Sequence, residues 1–194
     1  DIIDYSKLEA AKLVLETHAF DLEQEIRLAM YPLREIVAQK ALHLALEIGP
    51  DVPRHLLGDA LRVRQVVRQL YDNAVKFTEH GKIVVGVRCL ERSAEYALLE
   101  ISVCDTGIGL DDEQKARIFN RFEQSDNSIT RRYAGTGIGL ALAAKLVQFM
   151  GGEMSVESTP GLGSTFRFSL PVGFETQPVT STGGGVDCET NGRR

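Results

Sequence analysis

Apolar side chains recur at helical spacing from Leu22 through Ile26, Ala29, Met30, Leu33, Ile36 and Val37 to Ala41, which predicts a helix over 21–41 with one buried face. Pro32 falls inside this run and predicts a kink or break at Tyr31, because proline lacks the N–H and its ring clashes with the preceding turn. Leu42 to Ile48 then alternates as a strand does and ends at Gly49-Pro50. A further helix is predicted from Asp59, a side chain suited to cap a first turn, through Leu61, Val63, Val66, Val67, Leu70, Ala74 and Phe77, with Gly81 as its stop. Residues 82–90 and 96–104 read as hairpin strands joined by the polar stretch Glu91 to Glu95. The second of them delivers Asp105 at its C-terminal end, a usual place for a ligand contact.

Past Asp111 the pattern gives a short helix through Phe119, an alanine-rich helix from Leu140 to Met150 closed by Gly151-Gly152, and two strands, Glu153 to Ser158 and Thr165 to Pro171. Between the helices, Arg121 to Ala134 is polar and charged without clear periodicity, and a loop that long is usually functional or mobile. From Gly173 onward the Thr, Ser, Pro and Gly content forms no core pattern and reads as a linker or disordered tail. The opening Asp1 to Ala10 lacks Met and reads as the end of a helix, so an excised fragment is expected.

Composition narrows the class without naming a function. Apolar residues make up 43% and charged residues 25% of the 194, as in ordinary soluble globular proteins. The net charge of −5 and the absence of a long basic run argue against nucleic acid as a partner. Arg62, Arg64 and Arg68 are the nearest thing to a basic patch and read as a solvated helix face. Cys89, Cys104 and Cys188 form no CxxC pair, which fits a reducing compartment. No apolar run is long enough to span a membrane and no signal peptide is evident, so any anchor is expected outside this chain.

Chemistry concentrates in four stretches: Asn73-Ala74-Val75-Lys76-Phe77, Asp105 to Leu110, Gly135 to Leu140 and Gly161 to Phe166. A lone glycine turn is weak evidence. Here three of them accompany an amide and a lysine three residues apart on one helix, able to address a metal and phosphates, and a carboxylate able to accept from an amine. As a set they resemble the catalytic and ATP-binding domain of sensor histidine kinases, within the wider family shared with gyrase, the Hsp90 chaperone and MutL. The resemblance covers roughly residues 1 to 172: an N box at Asn73 to Phe77, three glycine boxes at the other stretches, and an F box at Phe119 and Phe122.

That resemblance implies a two-layer α/β sandwich, the Bergerat fold, with a mixed and mostly antiparallel sheet of about five strands and helices on one face. It implies a division into residues 1–17, the end of a dimerisation-hairpin helix and connector, 18–172, the catalytic and ATP-binding domain, and 173–194, the tail. Asn73 is then the Mg²⁺ ligand and Lys76 the phosphate partner, the two catalytic residues. Gln69, four residues earlier, also faces the metal. Asp105 accepts from the adenine amine, Gly107 and Gly109 let the backbone approach the base, and Thr165 lies near the adenine end. Gly135, Thr136, Gly137, Gly139 and Leu140 wrap the triphosphate at a helix N-terminus, and Arg131 of the lid, flanked by Arg121 and Arg132, reaches the γ-phosphate. For Phe77, stacking on adenine and filling the core both stay open. Glu113, Glu123 and Asp126 read as solvated charges.

None of His18, His43, His55 or His80 sits in the family's phosphoacceptor setting, so the substrate His is expected on a hairpin outside this chain. The implied function is transfer of the ATP γ-phosphate to that His in a cytoplasmic domain. The parent is expected to be a hybrid kinase, homodimeric, anchored in a bacterial inner membrane and served by a receiver domain or response regulator. Gln69 stands where the family usually has Asn, which opens an alternative: a catalytically weakened nucleotide-binding module that regulates other kinases. An ATP-driven conformational machine like the chaperone and gyrase relatives is disfavoured, because those carry Glu where Gln69 stands.

Overall fold

Each apolar period becomes an element in the computed structural model, which describes residues 13–119 and 139–174. In chain order the elements are β1 (His18–Asp21), α1 (Leu22–Met30), a 3-10 turn (Tyr31–Leu33), α2 (Arg34–Gln39), β2 (His43–Ile48), β3 (His55–Gly58) and α3 (Ala60–Phe77). They continue with β4 (Lys82–Arg92), β5 (Tyr96–Asp105), α4 (Asp112–Arg117), α5 (Gly139–Phe149), β6 (Met154–Thr159) and β7 (Gly163–Phe174). The break expected at Tyr31 is present, with Pro32 in the first turn of the 3-10 segment where its missing N–H costs nothing.

One sheet holds all seven strands in the order β1-β3-β7-β5-β4-β2, with β6 on the β3 side of β7. Every pairing is antiparallel except β2 with β4. Five strands match those expected; β1 and β3 are additions. Each has four residues, too few to show a period of two; they pair with one another, and β3 pairs in turn with Gly173 and Phe174 at the end of β7. β7 runs on to the buried Phe174. Residues 13–17 carry no regular element, and residues 1–12 and 175–194, with the helix end and the tail expected there, lie outside the described residues.

Alternation decides which face of the sheet is covered. Along β5, Ala97, Leu99, Ile101, Val103 and Asp105 are buried while the residues between them are only partly so, and β7 repeats this with Ser164, Phe166, Phe168, Leu170, Val172 and Phe174. Over that face lies α3, whose Val63, Val66, Val67, Leu70, Tyr71, Ala74 and Val75 are buried and which packs against α1, α5 and β5. Removing a fully buried side chain such as Leu70 to Ala costs roughly 2–5 kcal/mol.

Helix starts follow their caps. Asp59 accepts from the Arg62 N–H at 3.1 Å, as its position predicted. Asp21 caps α1 through the Gln24 N–H at 3.0 Å and pairs with Arg54 at 3.0 Å. The Gln24 N–H, helped by Arg54 and opposed by burial, holds the Asp21 carboxyl below its ordinary value. A carboxyl lowered by folding stabilises the fold above its unfolded value of 3.8, and that stabilisation is lost as pH falls through the lower folded value. Asp21→Ala should therefore cost about 1 kcal/mol at neutral pH, and urea titrations should show the gap closing in acid.

Candidate functional site

The site begins with the last two turns of α3. Gln69 and Asn73 lie one turn apart on one side of the helix, and Asn73, Lys76 and Phe77 are half-buried. The Lys76 ammonium stands 5.1 Å from the centre of the Phe77 ring, a cation–π contact. The helix ends at Phe77, four residues before Gly81, and its stop is a lysine from elsewhere in the chain. Lys40, at the end of α2, donates from Nζ to the carbonyl oxygens of Val75 (2.9 Å), Thr78 (3.1 Å) and Lys76 (3.4 Å), and also reaches Glu79. Its side chain is only 18% exposed, so these carbonyls have a cation in place of water at the negative end of the helix. Lys40→Met should lower stability by about 2 kcal/mol, the worth of hydrogen bonds to a charged group, read as a fall in thermal midpoint, with Lys40→Arg recovering part of it.

Asp105 closes β5 from the other side. Its side chain is buried and Oδ1 accepts from the Gly107 N–H (2.8 Å) and the Ser164 N–H (3.3 Å). Among the described residues nothing donates to Oδ2. Burial pushes the carboxyl above its ordinary value, and the two backbone donors oppose that only in part. A desolvated carboxylate with one oxygen fixed and one free is arranged to accept from a ligand N–H.

Close backbone approaches bring the glycine turns of the sequence against the central helix and its neighbouring strand ends. A Cβ on Gly107 would collide with the Phe77 carbonyl oxygen, so the turn after Asp105 lies directly on the end of α3. The Ile108 N–H donates to that same carbonyl at 3.3 Å. A Cβ on Gly163 would strike the Asp105 carbonyl oxygen, which seats the last glycine turn on the strand end. Gly109 abuts Thr159 and Pro160, and the Gly161 N–H donates to the Ile108 carbonyl at 2.7 Å. The amide of Gln69 fills the space that a Cβ on Gly139 would need, so α3 meets the start of α5 there.

The structure thus joins Gln69, Phe77, Asp105, Gly107, Gly109 and Gly139 in a contiguous set, with Asn73 and Lys76 on the same end of α3. Leu140 is half-buried against the core. Phe119 packs edge-on against Phe166, ring centres 6.4 Å apart. Glu113 is exposed and paired with Arg117, a solvated charge as expected. Arg131, Gly135, Thr136 and Gly137, together with Arg121, Phe122, Glu123, Asp126 and Arg132, lie outside the described residues.

The register sets Thr165 opposite Cys104 on β5 and Glu157 on β6, and successive side chains of a strand point to opposite faces. Its side chain is therefore on the face away from Asp105, whereas Ser164 lies directly across from Asp105 and is buried. Sequence reasoning also missed Lys40 and Ser158. A single-residue error in strand phase exchanges Ser164 and Thr165, whereas the contacts of Lys40 and Ser158 span 35 and 48 residues and leave no local signal.

An α-layer over a mixed, mostly antiparallel sheet, with its polar residues at one end of the central helix, is a Bergerat-type two-layer α/β sandwich. Residues 58–173 match the family described as "Histidine kinase-, DNA gyrase B-, and HSP90-like ATPase", and the chain belongs to that family. The chain is 42% identical over 170 residues to the signal transduction histidine-protein kinase BarA of Escherichia coli K12, an alignment covering 88% of this chain and 18% of that protein. It is 43% identical over 170 residues to the sensor protein GacS of Pseudomonas syringae pv. syringae, covering 88% of this chain and 19% of that protein. The chain thus spans about a fifth of the length of these curated relatives. Among solved structures it superposes with a TM-score of 0.79 and 29% identity on full-length ShkA in complex with AMPPNP, covering 92% of this chain and 36% of that one. The catalytic domain of the histidine kinase ThkA superposes with a TM-score of 0.63 and 25% identity, covering 80% of this chain and 97% of that one.

Proposed function

We propose that this chain is the ATP-binding catalytic domain of a two-component sensor histidine kinase, and that it passes the γ-phosphate of ATP to a His on a dimerisation hairpin outside it. The observation that carries the reading is the buried Asp105, held by two backbone donors on Oδ1 and free on Oδ2, at the junction of two glycine turns with the Asn73 helix. Support comes from the family match, from relatives named as histidine kinases and from a neighbour solved with a nucleotide analogue.

In this reading Oδ2 of Asp105 accepts from the adenine amine, and the half-buried Phe77 borders the base. Lys76 pairs with phosphate oxygens, and the N-terminal end of α5, at Gly139 and Leu140, faces them. Asn73 supplies one neutral oxygen to Mg²⁺. Such an ion takes few protein ligands and completes its shell with phosphate and water. Bound there, the ion neutralises phosphate charge, and the protein contributes position and electrostatics more than covalent chemistry. No described helix is long and apolar enough to cross a membrane. We place the domain in the cytoplasm of a homodimeric hybrid kinase, membrane-anchored elsewhere in its length, with a receiver domain as the next phosphate acceptor.

Titration calorimetry with ATP and GTP, with and without Mg²⁺, tests the nucleotide site. ATP should bind well ahead of GTP, and equal affinities would sink the role of Asp105. Fusion to a hairpin bearing an acceptor His tests the transfer itself, through acid-labile, base-stable phosphate on that His.

A further inference from the structure

We infer that Ser158, on β6, is a positioning residue for adenine recognition, because its hydroxyl locks the first and third glycine turns together and so holds Asp105 in place. The inference rests on the nucleotide-site reading above and adds to it a residue two strands away from the carboxylate. Asp105, Ser164 and Ser158 form one row across three adjacent strands, Asp105 opposite Ser164 and Ser164 opposite Ser158. Paired residues in such a row direct their side chains to the same face.

The Ser158 hydroxyl is fully engaged. Its oxygen accepts from the Leu110 N–H at 2.8 Å, in the turn after Asp105, and its proton goes to the Gly163 carbonyl oxygen at 2.8 Å, in the turn before Ser164. The Ser164 hydroxyl lies 2.9 Å away. With the Ser158 proton committed to Gly163, Ser164 must be the donor of that contact, and a hydroxyl with one donor and two lone pairs has then used all three. The backbone carbonyl of Ser158 also accepts from Lys115 Nζ at 3.2 Å, which fixes the residue from α4. Among the described residues the two turns are also joined by the Gly161 N–H to the Ile108 carbonyl and by the Ser164 N–H to Asp105 Oδ1, neither of which engages the Leu110 N–H or the Gly163 carbonyl.

The consequence for the carboxylate is direct. Gly163 rests against the Asp105 carbonyl, and the Ser164 N–H is one of two donors that aim Oδ1 inward and leave Oδ2 outward. Without the Ser158 hydroxyl three polar groups lose their partner at once, the start of β7 is held by its strand pairings alone, and Asp105 gains freedom to turn. A freely turning carboxylate still supports triphosphate binding but discriminates poorly between an adenine amine and a guanine carbonyl.

The experiment compares the parent chain with Ser158→Ala and Ser158→Thr, measuring dissociation constants for ATP and GTP and the thermal midpoint of each. Ser158→Ala should weaken ATP about tenfold, the scale of one well-placed hydrogen bond, with GTP nearly unchanged, so that the ratio of the two collapses. Ser158→Thr keeps the hydroxyl and should restore the ratio. An alanine variant with the parent's ATP affinity, or one that loses ATP and GTP affinity by the same factor, overturns the role of Ser158 while leaving the nucleotide site standing. A parent chain that binds no ATP overturns the nucleotide-site reading and this inference with it.

Discussion

Replacing Asp105 with Asn should cost about 10² in ATP affinity and, in the nucleotide-free protein, raise the thermal midpoint. The loss of affinity follows from two hydrogen bonds and the gain in stability from burial. The Gly107 and Ser164 N–H groups demand an acceptor, so the carboxamide oxygen turns towards them and the NH₂ falls where Oδ2 stood. A donor then confronts the adenine amine, itself a donor, and a charge-assisted hydrogen bond worth about 1.5–3 kcal/mol becomes an unpaired contact. The stability gain has the opposite sign because burial raises the Asp105 carboxyl above 3.8. A native state that binds the proton more tightly than the unfolded one loses stability as pH rises through that window, and the full penalty is present above it. Thermal midpoints of both proteins across the acid-to-neutral range should therefore diverge upward from pH 3.8, and calorimetry supplies the affinity. An Asn variant that binds ATP as the parent does would remove Asp105 from the site.

Gln69→Asn should accelerate phosphotransfer by ~10² to 10³, on the scale of one well-placed contact to a transferring group. The Gln69 amide is lodged over the Cα of Gly139, which only a residue without a side chain permits. One methylene shorter, Asn cannot reach that seat and its amide stays beside Asn73 on the helix flank, the end proposed for metal and phosphate. The octahedral shell of Mg²⁺ tolerates displaced ligands poorly, so this shift separates a productive site from a sluggish one. The comparison uses parent and variant fused to the same acceptor hairpin, with phosphohistidine followed over time. Equal rates would make Gln69 a silent variation and remove the main support for a weakened regulatory module.

Most of the sheet was legible because its strands are long enough to show a period of two, and α3 because its apolar residues keep a helical phase over eighteen residues. Motif order grouped Asn73, Lys76 and Asp105, and the turn after Asp105 does lie on the end of α3. What the sequence could not express is contact between residues far apart in the chain. The cap on α3 comes from Lys40, not from Gly81, and a lysine in a helix–strand turn looks like any solvated charge. Ser164 was hidden behind Thr165, since both suit a polar strand and only the pairing register tells which faces the core. β1 and β3 escaped because their pairing partners, not their patterns, make them strands.

The edge they form has a mechanical meaning. Phe20 on β1 sits opposite Leu56 on β3, and Leu56 opposite Phe174 on β7, so the first and last strands are separated by a single strand, roughly 10 Å at the usual spacing. Chain entering through β1 and chain leaving through β7 therefore share one corner of the domain. A body tethered at a single corner can swivel as a unit about that point without straining its sheet, and torque applied through either connection reaches the same pivot.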